Sequence, residues 1–246
     1  MLKLAHNRDG EAEVFAALQG EGPRLGRPST FIRLSGCNLW CRWCDTPYTW
    51  RWDDRHPHDD GVTFDRAVEE VASDEDTVAE AVRALGCSAL VFTGGEPLLQ
   101  HRHLVPLISR LRSEGLATSV DFETNGTIRP PAALVALTDL FVVSPKLSNA
   151  GVPRAQRLRP ALADFAAMGE RAAFKFVVST PADLDEVLAL IDDGTLPRGR
   201  VWLMPEGRSS AALRARMPWL AARCMVHGLW LSDRLHVHLS GDTRGT

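Results

Sequence analysis

The sequence lacks the features that mark several large classes of protein. No window approaches the roughly 18 uninterrupted apolar residues of a membrane span, and the first residues hold no apolar core for a secretory signal. The formal net charge of −3 and the pI near 6.2 give no global attraction toward nucleic acid or an anionic membrane. Cysteine is scarce, and the odd count of 5 argues against a secreted disulfide scaffold. These absences predict a cytoplasmic protein with no membrane and no nucleic-acid partner.

The composition is that of an ordinary globular protein. The chain has 246 residues, of which 45% are hydrophobic and 24% charged, and no repeat or low-complexity tract divides it. Six short apolar runs predict strands covered on both faces, at residues 30–34, 89–93, 118–122, 140–144, 174–178 and 201–204. Helical patterns lie between them, at residues 63–85 (as one helix or two), 97–114, 161–168, 181–191 and 210–227.

Strands that alternate with helices predict right-handed βαβ units and a parallel sheet. About six strands are too few for a closed eight-stranded barrel, so we expect an α/β fold with a partial TIM-type barrel. Polar and glycine-rich segments follow the predicted strands, at residues 35–37 (SGC), 94–96 (GGE), 123–126 (ETNG), 144–146 (SPK) and 205–207 (PEG). Because ligands of such sheets bind at the carboxyl ends of the strands, these segments predict one shared site.

Three of the cysteines, Cys37, Cys41 and Cys44, form a C-x3-C-x2-C loop directly after the first long strand. Soft thiolates select iron–sulfur clusters or zinc. Cubane clusters normally take four thiolates, so three would leave one iron open to a small molecule. A zinc site would need further ligands, such as His56 and His58 in the polar loop at residues 51–61.

The cysteine loop, together with GGEP at residues 94–97, resembles the radical S-adenosylmethionine (radical SAM) superfamily. Further segments narrow the resemblance to the 7-carboxy-7-deazaguanine synthases: LQGEG at 18–22, FIRLSGCNLWCRWCDTPYTW at 31–50, ETNGT at 123–127, SPK at 144–146 and the final LHVHLSGDTRGT. The resemblance runs from about residue 13 to residue 246. It implies a radical SAM core formed by one domain over residues 1–246, with a substrate-binding segment at about 12–28 and an insertion at about 51–76.

The resemblance also implies the chemistry. In that family a 4Fe–4S cluster and S-adenosylmethionine generate a 5′-deoxyadenosyl radical, which takes a hydrogen from 6-carboxy-5,6,7,8-tetrahydropterin. The ring then contracts and loses ammonia to give 7-carboxy-7-deazaguanine. Such a cofactor supplies the difficult chemistry, while the protein supplies placement and exclusion of water. The family also uses Mg²⁺ and is usually a homodimer, with an electron donor such as flavodoxin or ferredoxin.

By resemblance, the cluster ligands are Cys37, Cys41 and Cys44. The residues implied around S-adenosylmethionine are Trp43, Cys44, Asp45, Gly95, Ser144, Pro145, Lys146, Leu203, Met204, Pro205 and Glu206. Those implied around the substrate are Leu18, Gln19, Gly20, Arg33, Thr93 and the terminal Thr246, with Glu21 nearby. Thr46 is the implied Mg²⁺ ligand. Arg33 also stands out without the resemblance, because its strand is otherwise apolar and a guanidinium fits a carboxylate.

Two alternatives remain open at this level. The chain could be a radical SAM activating enzyme that acts on a protein, or a zinc-binding interaction module. Four tryptophans surround the cysteine loop, and we expect them to pack around a cluster and shield it: Trp40, Trp43, Trp50 and Trp52. The sequence does not indicate which pathway would use the product. Cys87 and Cys224 are expected to be core thiols.

Overall fold

A computed structural model describes residues 1–7, 9–53 and 61–245. Its centre is one sheet with the strand order β10-β9-β8-β7-β6-β5-β3-β1-β4, and β2 pairs with β3 off this path. The strands are β1 (Leu2–Ala5), β2 (Val14–Leu18), β3 (Pro28–Leu34), β4 (Glu70–Ser73), β5 (Ala89–Gly94), β6 (Ser119–Thr124), β7 (Leu140–Val143), β8 (Ala172–Val178), β9 (Val201–Pro205) and β10 (Trp230–Leu231).

The parallel part of the sheet is the partial barrel that the sequence predicts. All six predicted strands are present, as β3 and β5 to β9, and they pair in parallel in that order. The two-residue β10 adds one further parallel neighbour to β9. The path ends at β10 on one side and β4 on the other, so the sheet does not close. The α/β fold class with a partial barrel is therefore confirmed.

Helices cover the outer face of the sheet. Their bounds are α1 (Arg66–Glu69), α2 (Glu75–Leu85), α3 (His101–Ser113), α4 (Ala132–Leu137), α5 (Arg154–Arg157), α6 (Ala161–Ala166), α7 (Pro181–Asp192), α8 (Ser210–His227) and α9 (Leu235–Ser240). The side chains beneath them form the main apolar core, in which the rings of Phe92, Phe122 and Phe141 stack across three neighbouring strands. Within the described ranges, no helix is long and apolar enough to cross a membrane.

The segment at residues 63–85 differs from its predicted helical conformation. A strand, β4, separates α1 from α2, although its residues Glu-Val-Ala-Ser have no strong strand signal of their own. β4 forms because its backbone pairs antiparallel with β1, with Leu4 opposite Val71. The Asp74 side chain then caps α2 by accepting a hydrogen bond from the Thr77 N–H at 2.8 Å. Tertiary pairing thus overrides the local preference of this segment.

The N-terminal segment enters the concave side of the sheet. β2 pairs antiparallel with β3, and a 3-10 turn at Gly22–Arg24 follows it. Gly22 faces the side chains of Val142 and Lys175 on β7 and β8. The segment therefore spans the open side of the partial barrel, below the carboxyl ends of the strands.

The carboxylate of Asp121 on β6 is expected to make the stability of the protein depend on pH. This carboxylate is buried, and burial raises its pKa to about 6, although Arg24 and Arg27 lie 3.6 and 3.8 Å away and oppose the shift. Since the unfolded carboxyl titrates near 3.8, folding takes up a proton between these pH values and stability falls as the pH rises. We expect Asp121→Asn to remove this loss and to stabilise the protein relative to wild type by up to about 3 kcal/mol above pH 6.

Urea unfolding from pH 4 to 8 measures this effect, and the difference between variant and wild type should grow between about pH 4 and 6. The matched control is Asp192→Asn, which removes an exposed carboxylate 3.1 Å from Arg198 and should change stability by less than about 1 kcal/mol. A constant difference across the pH range would contradict the prediction.

Candidate active site

A cavity of about 600 Å³ opens at the carboxyl ends of the parallel strands. Most of the residues singled out by sequence line it. They are Leu18, Gln19, Gly20, Glu21, Arg33, Cys37, Cys41, Trp43, Cys44, Asp45, Thr46, Thr93, Gly95, Ser144, Lys146, Met204 and Glu206. The expectation that the strand ends share one site agrees with this arrangement.

A few of the singled-out residues lie elsewhere. Pro145, Leu203 and Pro205 are buried but do not line the cavity. The Leu203 side chain packs in the main apolar core, and its carbonyl accepts a hydrogen bond from the Ser232 N–H at 2.8 Å. Thr246 and the two histidines of the polar loop, His56 and His58, fall outside the described residues.

The cysteine loop is held against the end of β5 by backbone contacts. The Gly95 N–H donates to the Leu34 carbonyl at 2.9 Å, and the Glu96 N–H donates to the Gly36 carbonyl at 2.8 Å. At Gly94, φ is +126° and a Cβ would lie 2.0 Å from the Leu34 carbonyl oxygen. Glycine is required here because two backbones approach each other without room for a side chain.

The three thiols fit an iron–sulfur cluster. All three line the same cavity, and burial raises the pKa of the Cys41 thiol to about 12. Burial also raises the pKa of Cys37 and of Cys44. Negative charge on Cys41 and Cys44 adds to the shift of Cys37, and Asp45 adds to that of Cys44. Thiolates in such surroundings need a bound cation to compensate their charge.

The same thiols suit a zinc ion less well. Among the described side chains, no group of three or more His, Cys, Asp or Glu could hold a single metal ion. Thiolates that each bind a different iron of a cluster need not converge on one point, whereas the ligands of a tetrahedral zinc ion must.

A buried carboxylate, Glu96, organises the next strand end. It accepts hydrogen bonds from the Thr124 hydroxyl at 2.8 Å and the Asn125 N–H at 2.7 Å. Asn125 in turn donates from its side chain to the Asn38 side-chain oxygen at 2.9 Å, and its Nδ2 lies 4.0 Å from the Cys37 Sγ. The ETNG segment therefore holds the cysteine loop in place through the side chain of Asn125.

Arg33 faces the cavity from β3 and is oriented by an acidic partner. Its Nε donates to the Glu13 carboxylate at 2.8 Å, and Glu13 also accepts from the Tyr48 hydroxyl at 3.0 Å. Burial would lower the pKa of Arg33, but the neighbouring Tyr48 and Glu13 outweigh it and raise the pKa. The guanidinium is therefore charged, and the hydrogen bonds to Glu13 engage Nε rather than the two terminal nitrogens.

Glu123 lies between two of the predicted substrate residues. Its carboxylate accepts from the Gln19 amide at 3.1 Å and from the Thr93 hydroxyl at 2.8 Å. The Gln19 side-chain oxygen accepts from the Glu21 N–H at 3.0 Å, which fixes the orientation of the amide. These polar groups line the same cavity as the cysteine loop.

A charge network, buried at Lys175 and Arg234, joins the N-terminal segment to distant parts of the chain. Glu21 pairs with Lys175 on β8 and with Arg234, and Arg234 also pairs with Asp45 next to the last cysteine. Burial alone would raise the pKa of Glu21, but Lys175 and Arg234 outweigh burial and lower it. The network therefore holds charged side chains deep in the cavity wall.

Because Gly20 has no side chain, α9 can pack against the cavity wall at this point. A Cβ at Gly20 would lie 2.0 Å from the His236 Nδ1, and the Leu235 N–H donates to the Gly20 carbonyl at 2.9 Å. Burial lowers the pKa of His236, which favours a neutral imidazole at the cavity.

The residues after α9 form a strap across the mouth of the cavity. Gly241, Asp242, Thr243 and Arg244 all line it. Arg244 pairs with Glu69 at 2.7 Å, and its guanidinium lies 3.5 Å from the centre of the Tyr48 ring.

Sequence reasoning missed several cavity residues that the fold brings in. They are Glu123, Lys175, Arg234, His236 and Arg244. Glu13, which orients Arg33 without lining the cavity, was missed as well. A signal was available for Glu123, which opens the ETNGT segment at a strand end. The others have no local signal, because their partners lie far away in the chain; Arg234 and Glu21, for example, are separated by 213 residues.

Comparison with known proteins agrees with this geometry. Residues 18–149 match the family described as "4Fe-4S single cluster domain". A 7-carboxy-7-deazaguanine synthase from Pyrobaculum aerophilum is 40% identical, over 95% of this chain and 95% of its own length. Another from Halobacterium salinarum is 37% identical over 99% and 96%. The crystal structure of QueE from Escherichia coli aligns with a TM-score of 0.64 at 29% identity, covering 95% of each chain.

These relatives match nearly the whole chain, including the cysteine loop, the strand ends and the N-terminal segment that form the cavity. The chain belongs to the 7-carboxy-7-deazaguanine synthase family of radical SAM enzymes.

Proposed function

We propose that this cavity converts 6-carboxy-5,6,7,8-tetrahydropterin to 7-carboxy-7-deazaguanine with loss of ammonia. The observation that carries the proposal is the meeting of two groups in one cavity: three thiols from one loop, and a buried, oriented arginine. The first suits an open iron–sulfur cluster. The second, whose side chain is 15% exposed, suits a small anionic substrate.

On one side of the cavity, Cys37, Cys41 and Cys44 hold the 4Fe–4S cluster. When bound there with S-adenosylmethionine, the cluster supplies the one-electron chemistry that generates a 5′-deoxyadenosyl radical. Gly95 lets the backbone approach the methionine part of S-adenosylmethionine, because it has no side chain. The remaining contacts proposed around this cofactor are made by Trp43, Asp45, Ser144, Lys146, Met204 and Glu206. Pro145, Leu203 and Pro205, which the resemblance also implies, do not line the cavity and are not assigned a contact.

Within this set the structure supports some roles with direct contacts. Lys146 lies 3.0 Å from the Ser144 hydroxyl and 5.2 Å from the centre of the Trp43 ring, so its ammonium is placed beside the cysteine loop. Asp45 is kept ionised because Arg234 lowers its pKa against the effect of burial. An ionised carboxylate in this position accepts hydrogen bonds from hydroxyl groups such as those of a ribose.

On the other side, Arg33 binds the substrate carboxylate with its terminal nitrogens while Glu13 holds its Nε. Leu18, Gln19, Gly20 and Thr93 line the pterin. The Glu123 carboxylate accepts hydrogen bonds from its amino and ring N–H groups. These contacts hold the ring fixed while the surrounding charge network and the strap keep water out.

Thr46 and the terminal carboxylate of Thr246 complete the proposed site. Thr46 lines the cavity directly after the cysteine loop, and its hydroxyl is a suitable ligand for Mg²⁺, with substrate oxygens and water as the others. The substrate contact of Thr246 rests on the resemblance alone, because Thr246 lies outside the described residues.

The proposal assigns all of this to one domain over residues 1–246. The segment at about 12–28 binds substrate, and its contacts with β3 and β8 support that role. The insertion at about 51–76 supplies Glu69, which anchors the strap through Arg244. The enzyme is proposed to be cytoplasmic and homodimeric, with an electron donor such as flavodoxin or ferredoxin and no nucleic-acid partner.

An anaerobic assay tests the proposal. Reconstituted protein, dithionite, Mg²⁺, S-adenosylmethionine and carboxytetrahydropterin should yield carboxydeazaguanine, identified by mass and absorbance. Methionine formation without this product would overturn the substrate assignment and favour an activating enzyme that acts on a protein. Protein that binds zinc, with neither iron nor sulfide, would favour the interaction module.

Replacing Arg33 with alanine is expected to cost about 2–5 kcal/mol of transition-state binding, which lowers kcat/KM by a factor of about 30 to several thousand. The reason is that the substrate carboxylate then lacks its buried cation. Steady-state kinetics measure the effect, and thermal melting reports whether the variant folds. The control is Arg83→Ala, which removes an exposed guanidinium that pairs with Glu114 at 2.6 Å. An unchanged kcat/KM in Arg33→Ala would contradict the assigned contact.

A further inference from the structure

Trp50 contacts one of the three thiols directly. Its indole Nε1 donates to the Cys44 Sγ at 3.3 Å. Other polar groups also approach the cysteine sulfurs. The Leu39 N–H is 3.5 Å from the Cys37 Sγ, and the Asn125 side-chain amide is 4.0 Å from it. Thr46 contacts the Cys44 Sγ through its backbone N–H and through its hydroxyl, which lies at 3.8 Å.

The backbone that carries the indole is held by a turn. Pro47–Thr49 form a 3-10 turn, and the Trp50 N–H donates to the Pro47 carbonyl at 3.1 Å. The Thr49 carbonyl accepts from the Gly36 N–H at 2.7 Å, immediately before the cysteine loop. Thr49 itself is fully buried. The chain on both sides of the loop is thereby held together, which keeps the Trp50 backbone close to the cysteine loop.

A hydrogen bond to a cluster sulfur changes the energy of adding an electron. The reduced cluster carries more negative charge on its thiolates than the oxidised one, so an N–H donor stabilises the reduced form more. The effect is larger in a buried site, where solvent screens the charge poorly. The indole is a donor only, and it therefore acts in this direction whatever its surroundings.

We infer that Trp50 raises the reduction potential of the cluster through its hydrogen bond to Cys44. Trp50 is then a positioning and tuning residue, beyond the shielding expected of tryptophans around the loop. This inference rests on the proposed function, because it requires that Cys44 hold a cluster.

The test compares three variants of the anaerobically reconstituted full chain. Trp50→Phe keeps the aromatic ring and removes the donor, whereas Trp50→His keeps a ring N–H. Trp52→Phe is the matched control, because the Trp52 Nε1 donates to the Tyr48 carbonyl at 3.0 Å rather than to a sulfur. Iron and sulfide content are measured first, and the potential is then measured by redox titration monitored by electron paramagnetic resonance.

We expect Trp50→Phe to favour the oxidised cluster at least tenfold more than wild type does, a negative shift of about 59 mV for one electron. Trp50→His should recover part of that shift, and Trp52→Phe should match wild type. Equal potentials in Trp50→Phe and wild type would overturn the inference and leave the proposed function intact. A wild-type chain that retains neither iron nor sulfide would instead overturn the proposed function.

A second measurement covers the case in which Trp50→Phe fails to assemble a cluster. Wild-type protein is prepared with tryptophan labelled with ¹⁵N at the indole nitrogen, and the reduced cluster is studied by pulsed electron paramagnetic resonance. A hyperfine coupling to the label supports the hydrogen bond. Its absence would overturn the inference.

Discussion

Replacing Gly95 with alanine is expected to abolish cluster retention and to lower product formation by about a hundredfold or more. A Cβ at this position would lie 2.1 Å from the Gly36 carbonyl oxygen and 3.0 Å from the Cys37 backbone nitrogen. Both of these atoms belong to backbone, so no side-chain rotation relieves the contact, and the cysteine loop must move away from the end of β5. Iron and sulfide content, together with the anaerobic product assay, measure the result.

The matched control for this substitution is Gly199→Ala. An added Cβ at Gly199 meets no atom within 4 Å, and its φ is not positive. The control should therefore retain wild-type cluster content and activity. If Gly95→Ala retained a full cluster and the wild-type rate, the close approach of the loop to β5 would not be needed for function.

Replacing Glu21 with glutamine is expected to lower the free energy of unfolding by about 3–5 kcal/mol near neutral pH. Lys175 and Arg234 are both buried, with 6% and 8% of their side chains exposed, and both pair with Glu21. Removing the carboxylate charge leaves Lys175 without its paired anion in the protein interior. Urea unfolding measures the change, and the product assay should show an accompanying loss, because the same network borders the cavity.

The stability difference between wild type and Glu21→Gln depends on pH, and the pKa of Glu21 sets the direction of this dependence. The pKa of Glu21 is lowered from its usual value of 4.5, so its contribution to stability is present above that value and is lost as the pH falls toward the folded pKa. The difference between wild type and Glu21→Gln should therefore be constant above about pH 5 and shrink in acid. A difference that grows in acid would contradict the assigned ion pairs.

A double variant distinguishes the effect of an unpaired charge from the effect of lost side-chain packing. Glu21→Gln combined with Lys175→Met removes both charges and leaves Arg234 paired with Asp45. Because the two sites interact directly, their effects should not add, and the double variant should be more stable than Glu21→Gln alone. Additive losses would indicate that the two side chains act independently.

The parallel strands were predictable because their signal is local. A strand covered on both faces needs a continuous apolar run, and each of the six runs supplies one. The helical prediction for residues 63–85 was wrong at β4, where four residues without strong strand preference pair with β1. That pairing depends on the position of residues 71 places earlier in the chain in the case of Ser73, which pairs with Leu2.

The residues of the candidate site also fall into two groups: those with a local sequence signal, and those that only the fold brings in. The cysteine spacing, the glycine pair and Arg33 are visible in short segments, so sequence alone placed them in one site. The partner of Arg33 was not visible, because Glu13 lies on the approach to β2 and reaches Arg33 only through the antiparallel pairing of β2 with β3. The Trp50 contact with Cys44 also depends on a turn whose direction the motif does not reveal.

The sequence by itself indicated the kind of chemistry, through a loop that holds three thiols and no fourth cysteine. It also determined the order of the parallel strands along the chain. The tertiary structure decided which charges face one another: Glu21 with Lys175 and Arg234, Glu13 with Arg33, and Glu69 with Arg244. The physical reason is the distance along the chain over which each kind of signal acts. Apolar periodicity and ligand spacing act over a few residues, whereas the pairing of buried charges depends on which distant segments the folded sheet brings within contact distance.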